Sequence, residues 1–165
     1  MSAPHTADYD VIAVGAGFAG ISLSYHLREA GYSVKVFDRA DEIGGTWAWN
    51  RYPGAATDSE SYYYCLTFSK EVLQEWSWTK RYSGWEETQA YLKFVLDKFS
   101  LRPMFQLNTE VESAEFDQAD KHIKMSTKLS DGPRDARSGA QEVGGTKEEP
   151  IEPALQTGFH CGHTL

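Results

Sequence analysis

Cysteine is scarce in this chain. Cys65 and Cys161 are the only two among 165 residues, far apart and in no CxxC pair. That argues against a disulfide framework and a thiolate zinc site, and it fits a reducing, cytoplasmic compartment. Long apolar runs are missing too: no stretch approaches the ~20 residues of a membrane span. The N-terminus, "MSAPHTADYD", has acids but no Lys or Arg, so it does not read as a signal peptide. Positive charge is short, with 16 Lys and Arg against 24 Asp and Glu and a net charge of -8. No basic run interleaves with aromatics, so neither nucleic acid nor an anionic membrane is expected as a partner. Aromatics are nearly absent from residues 130–165, which hold only Phe159 beside nine Gly or Pro. Such a stretch buries too little to offset its ordering entropy. It is expected to be a disordered or loosely packed tail behind a domain of residues 1–129. His160, Cys161 and His163 lie in that tail, and no metal site is read from them.

What is present is concentrated before residue 130. "YDVIAV" (9–14) is a short apolar run ending in glycine, the form of a buried parallel strand. "FAGISLSYHLREAGY" follows at helical spacing, with Ile21, Leu23, Tyr25 and Leu27 as apolar bulk and Gly31 as a C-terminal stop. "SVKVFD" (33–38) is a second strand, so the chain opens as a βαβ unit of the α/β class. A helix is expected over 70–76. Another should start at "SGWE" (83–86), read as a capping box with Ser83 at the N-cap and Glu86 at N3, and should carry Tyr91, Leu92, Val95 and Phe99 on one face. "MFQL" (104–107) reads as a strand. "TEVESAEFD" and "KHIKMSTKL" read as a hairpin, with Ile123, Met125, Thr127 and Leu129 alternating.

The first βα turn is "GAGFAG", a GxGxxG with glycines at 15, 17 and 20. Alone the pattern is weak. Here it follows a strand, opens a helix, and is answered by Asp38, 18 residues beyond Gly20 at the end of the second strand. That is the context of a dinucleotide fingerprint. Gly15 permits the tight turn, Gly17 lets a pyrophosphate approach the backbone, and Gly20 lets helix and strand pack closely. The helix N-terminus offers free N–H groups and the positive end of its dipole to phosphates. Asp38 can accept from ribose hydroxyls, or it can be a capping or surface acid. Arg39 beside it would suit a 2'-phosphate, but Asp38 would repel one, which favours FAD or NAD over NADP here.

A second glycine pair, Gly44-Gly45, comes six residues after Asp38 and opens "GGTWAWNRYPGAATDSESYYYC" (44–65). Together, "GAGFAG", "FDRADEIGGTW" and this aromatic run resemble the N-terminal FAD-binding part of the Baeyer–Villiger monooxygenases. These are class B flavoprotein monooxygenases, and the likeness extends to about Phe116. The resemblance implies an incomplete Rossmann-like FAD-binding domain: a βαβ start, a helical insert and a β-hairpin or meander. Gly15, Ala16, Gly17, Phe18, Ala19, Gly20, Asp38 and Arg39 would hold the ADP half of FAD. Gly45, Thr46, Trp47 and Trp49 would run along the ribityl and flavin portion. Asp58 would sit beside the flavin ring as the catalytic candidate, Tyr64 would touch FAD from its loop, and Val111 would meet the adenine through its backbone. Core packing is the alternative for the aromatics, above all Tyr62 and Tyr63.

The resemblance also implies a reaction: NADPH reduces the flavin, and oxygen is inserted beside the carbonyl of a ketone-like substrate. Several family features have no counterpart in this chain. A second glycine fingerprint for NADPH, an FxGxxxHxxxW signature and the catalytic arginine are all missing, and Ala56 stands where the family commonly has arginine. The expectation is therefore a truncated chain, not competent alone and in need of a second chain to complete the fold. The alternative is a non-catalytic flavin-binding module acting through a partner protein.

Overall fold

The computed structural model describes residues 7–119, 121–130 and 141–145, the last stretch by its backbone alone. The chain opens with β1 (Val11–Val14), α1 (Phe18–Glu29) and β2 (Val34–Phe37). β1 and β2 pair in parallel from Val11 opposite Val34 to Val14 opposite Phe37. Val34, Val36 and Phe37 are buried, whereas Val14 is 65% exposed. The crossover helix α1 stops in a Schellman turn. The Tyr32 N–H reaches the Leu27 carbonyl at 3.0 Å and the Gly31 N–H reaches Arg28 at 2.9 Å, with Gly31 at φ +88°. The expected βαβ unit is present, although Leu23 faces outward at 43% exposure.

A short helix, α2 (Thr46–Trp49), interrupts the aromatic segment, followed by α3 (Lys70–Glu75) and α4 (Trp85–Lys98). The Ser69 hydroxyl caps α3 by accepting from the Val72 N–H at 3.3 Å. The expected capping box on α4 does not form. Gly84 is the N-cap, while Ser83 is drawn inside, where its N–H meets Ser61 Oγ at 3.0 Å and its hydroxyl meets Thr88 Oγ1 at 2.9 Å. The interior network outbids the helix end for that hydroxyl. The expected Tyr91, Leu92 and Val95 of α4 are buried, together with Leu96, Ile21, Ile43, Trp47, Val72 and Leu101, whereas Phe99 is the C-cap beyond the helix and only partly buried. The Tyr91 hydroxyl accepts from the Leu66 N–H at 2.7 Å and so pins the irregular segment before α3. Burial pushes the Tyr91 phenol well above its ordinary value, which keeps it protonated.

A 3-10 turn (Arg102–Met104) leads into β3 (Phe105–Gln106), which pairs in parallel with β2 to complete the order β1-β2-β3. β4 (Thr109–Asp117), β5 (His122–Leu129) and β6 (Gln141–Gly145) form an antiparallel meander with a bulge between Val111 and Ser113. Met125 and Thr127 are buried as the alternation predicts, and Leu129 is exposed. Within residues 130–165, the backbone of β6 pairs with β5 from Gln141 opposite Thr127 to Gly145 opposite Ile123, and residues 131–140 and 146–165 lie outside the described residues. His160, Cys161 and His163 lie outside the described residues. No helix among the described residues is long and apolar enough to cross a membrane.

α4 ends in a second Schellman turn. Leu101 N–H bonds Leu96 at 2.9 Å and Ser100 N–H bonds Asp97 at 3.0 Å, but here a serine holds φ +52°. A side chain in the left-handed region costs ~1 kcal/mol. Ser100→Gly is expected to raise unfolding stability by about 0.5–1 kcal/mol, and Gly31→Ala to lower it by ~1 kcal/mol. Urea titration would show both as midpoint shifts at constant slope.

Candidate cofactor site

The turn after β1 is built on backbone. Gly15 donates its N–H to the Phe37 carbonyl at 2.8 Å and takes φ +110°. Ala16 is fully buried. Gly17 is the N-cap of α1, with no side-chain cap and no acid in the first turn. The first N–H groups of the helix therefore keep their affinity for an anion. Gly20 is sterically required, because a Cβ there would lie 2.1 Å from the Gly15 carbonyl oxygen. Ala19 is exposed, and Phe18 turns its half-buried ring into the core.

Asp38 is buried at the end of β2 and spans two turns. One carboxylate oxygen accepts from the Ala16 N–H at 2.6 Å, and the other from the Ala40 N–H at 2.8 Å. Each oxygen keeps a further lone pair, so this role does not compete with accepting from a ribose hydroxyl. Arg39 lies outside, its guanidinium 4.9 Å from the Trp49 ring, and its carbonyl accepts from Ser130 Oγ at 2.6 Å.

The second glycine pair closes on the first. Gly44 donates to the Ala16 carbonyl at 3.0 Å. A Cβ on Gly45 would lie 2.8 Å from Gly17 Cα, and Gly45 sits at φ +55°. A Cβ on Gly44 would lie 2.8 Å from the Ala48 nitrogen, so neither glycine has room for a side chain. Beyond them, Thr46 is exposed at the start of α2, and its carbonyl accepts from the Asn50 N–H at 2.9 Å. Trp47 is buried in the core, its indole N–H donating to Tyr64 Oη at 3.3 Å. Tyr64 meets Trp47 edge-on at 5.8 Å and Phe18 edge-on at 4.9 Å, so three candidates form one aromatic wall. Trp49 stands 54% exposed on Arg39.

Two candidates sit apart from these loops. Asp58 is exposed, with Ser59 Oγ at 3.4 Å as its hydrogen-bond partner. Val111 is half-buried on β4, against Phe37 and Met125. The head of that strand is tied to the site, because the Thr109 N–H reaches the Asp38 carbonyl at 2.9 Å and the Asn108 N–H reaches Ala40 at 2.8 Å.

Sequence reasoning missed the support from α4. Gln89 is buried and donates Nε2 to the Ile43 carbonyl at 2.8 Å, just before the second glycine pair. Lys93 Nζ meets Glu42 at 2.8 Å. The available signal was a pair of polar residues, Thr88 and Gln89, at positions one turn before the core residue Leu92. The Lys93 hydrogen bond holds the Glu42 carboxyl below its ordinary 4.5, helped by the charges of Lys93 and Arg51 and by Gln89, against a smaller opposing effect of burial. A cleft of about 80 Å³ lined by Tyr62, Cys65, Val72, Leu73, Trp76, Trp78 and Tyr91 includes none of the glycine-loop residues.

Gly20→Ala is expected to cost about 3 kcal/mol, since backbone must move to admit the methyl. In a domain of marginal stability that loss is visible as a large fall in the melting midpoint. Glu42 titrates lower when folded than when unfolded. Its stabilisation is complete above the ordinary carboxylate value and fades as pH falls through the lowered one. Glu42→Gln should flatten that part of the acid-unfolding curve.

Three comparisons bear on identity. Residues 14–76 match the family model of an NAD(P)-binding Rossmann-like domain. Acetone monooxygenase (methyl acetate-forming) of Gordonia sp. (strain TY-5) is 43% identical over 113 residues, 68% of this chain and 21% of that protein. A Baeyer-Villiger monooxygenase of Pseudooceanicola batsensis is 42% identical over 113 residues, again 68% of this chain and 21% of the relative. The solved structure of oxidized steroid monooxygenase bound to NADP superposes with a TM-score of 0.74 at 39% identity, covering 83% of this chain and 24% of that one. The chain thus spans about a fifth of the length of the curated relatives it matches. Two glycine loops locked backbone to backbone, on this sheet and within these matches, make the chain a member of the Baeyer–Villiger-type flavoprotein monooxygenases, corresponding to their N-terminal FAD-binding portion.

Proposed function

We propose that this chain forms the FAD-holding portion of a monooxygenase that uses NADPH and oxygen to oxygenate a ketone or related small molecule. The observation that carries the reading is the joint between the glycine loops, where a Cβ on Gly45 would meet Gly17 Cα at 2.8 Å. An extended dinucleotide needs two stretches of bare backbone, one for its pyrophosphate and one for the chain beyond it. A plain NAD site needs only the first.

The residues present fit FAD. The uncapped start of α1, Gly17 to Gly20, would supply N–H groups to the pyrophosphate, with Phe18 and Ala19 along it, while Gly15 and Ala16, whose N–H groups serve Phe37 and Asp38, shape the turn. Asp38 accepts from the ribose while its backbone bonds hold the carboxylate still, with Arg39 alongside. Val111 meets the adenine through its backbone. Gly45 and Thr46 follow the ribityl chain, and Trp47, Trp49 and Tyr64 border the flavin side. Asp58, exposed in its loop, would serve as a polar partner on the flavin side. Bound there, FAD would supply the redox and oxygen chemistry, and the protein would supply position and electrostatics.

In this reading the NADPH site and the substrate pocket belong to polypeptide outside the matched fifth, which a second chain could supply. Ala56, in place of the family's arginine, fits a chain that does not itself meet the nicotinamide cofactor. The reading includes a cytoplasmic location, supported by the scarcity of cysteine.

The purified chain, mixed with FAD and desalted, is expected to keep a visible flavin band that NADPH does not bleach. Adding the remaining four-fifths of a relative should restore bleaching and ketone-dependent oxygen uptake. Absence of any band after FAD addition would sink the reading. Bleaching and oxygen uptake by the lone chain would remove the need for a second one. A retained band with no gain on complementation would favour a non-catalytic module.

A further inference from the structure

One face of α4 carries Trp85, Gln89 and Lys93, spaced four apart and therefore stacked along the helix. Each reaches into the segment around the second glycine pair. The Arg51 guanidinium lies 5.7 Å from the Trp85 ring. Gln89 Nε2 holds the Ile43 carbonyl at 2.8 Å and would lie 3.2 Å from a Cβ on Gly44. Lys93 Nζ holds Glu42 at 2.8 Å, and Glu42 also meets Arg51 at 3.4 Å. Residues 42–51 are thus gripped before, at and after the glycines. Among the described contacts the first glycine loop takes no bond from this stripe; its fixings there are Asp38, Phe37 and Gly44.

We infer that the Trp85–Gln89–Lys93 stripe is a positioning device for the second glycine loop, with Gln89 as its centre. It sets affinity for the flavin-bearing half of the dinucleotide and not for the ADP half. This rests on the FAD reading above. Gly44 and Gly45 lack side chains, so their path is fixed through backbone alone, with the Gly44 N–H on the Ala16 carbonyl at 3.0 Å. An anchored carbonyl one residue earlier restricts where Gly44 can go. Gln89 is the one polar group of α4 that reaches that carbonyl among the described contacts.

The test is Gln89→Met, which keeps volume and removes the donor, with Lys93→Ala as a milder second variant. Dissociation constants for FAD and for ADP are measured on the full chain, together with hydrogen exchange of the free chain. A single hydrogen bond of this kind is worth about tenfold in an equilibrium. Gln89→Met should weaken FAD about tenfold and leave ADP within about twofold. It should speed exchange at Gly44, Trp47 and Ala48 about tenfold, without changing Ile21 in the first turn of α1. Lys93→Ala should move the same readouts in the same direction by less. Equal weakening of FAD and ADP, or unchanged exchange at Gly44–Ala48, would overturn the inference. If the unaltered chain binds ADP but no FAD, the flavin reading falls, and the exchange measurement alone decides whether the stripe holds the loop.

Discussion

Two glycine loops, distant in sequence, meet backbone to backbone at Gly17 and Gly45, and the rest of the site follows from that contact. Gly44 and Gly45 take positive φ there, and the contact leaves no space for a β-carbon on Gly45. Such closeness gives little attraction of its own. It is held by what surrounds it: the Gly44 N–H on the Ala16 carbonyl, the Asp38 carboxylate on the Ala16 N–H, and Gln89 on the Ile43 carbonyl. Each fixing uses backbone on the loop side, so it places no side chain over the glycines.

The core explains how these bonds persist. α4 buries Tyr91, Leu92, Val95 and Leu96 against Ile21 of α1 and Ile43 and Trp47 of the second loop. Burying a large apolar side chain is worth about 1.5–3 kcal/mol, more than any one hydrogen bond in the site. Packing therefore sets the distance between the loops, and hydrogen bonds set their orientation. Trp47 belongs to both levels, since its ring fills the core while its indole N–H reaches Tyr64. The aromatic richness of residues 44–65 divides accordingly: Trp47 and Tyr64 pack inward, while Trp49, Tyr52, Tyr62 and Tyr63 remain exposed.

Legibility in the sequence tracked how local each signal was. The β1–α1–β2 unit could be read because strand, glycine turn and acid lie within one short stretch and each has a steric reason. The face of α4 could be read from its period. Ser83 could not, because its hydroxyl answers to Ser61 and Thr88 and not to its own helix end. Gln89 was hidden for a similar reason: its partner lies 46 residues away, and a polar residue on a helix looks like a solvent face until the fold buries it. α2 lies in a stretch without periodicity, where local composition says little and the neighbouring loop decides. β6 was missed because its sequence, "QEVGG", has glycines where strand formers are expected, and it is pairing with β5 that defines it.

The dependence of the site on the Gly17–Gly45 contact is most directly tested by calorimetric titration of FAD into the unaltered chain and into Gly45→Ala, with melting of both followed in parallel. A methyl on Gly45 meets Gly17 backbone at 2.8 Å and strains φ +55°, so the two loops must part. The expected result is a loss of FAD affinity of more than about tenfold in a chain that still melts cooperatively. Unchanged FAD affinity in the folded variant would contradict the dependence of the site on this contact.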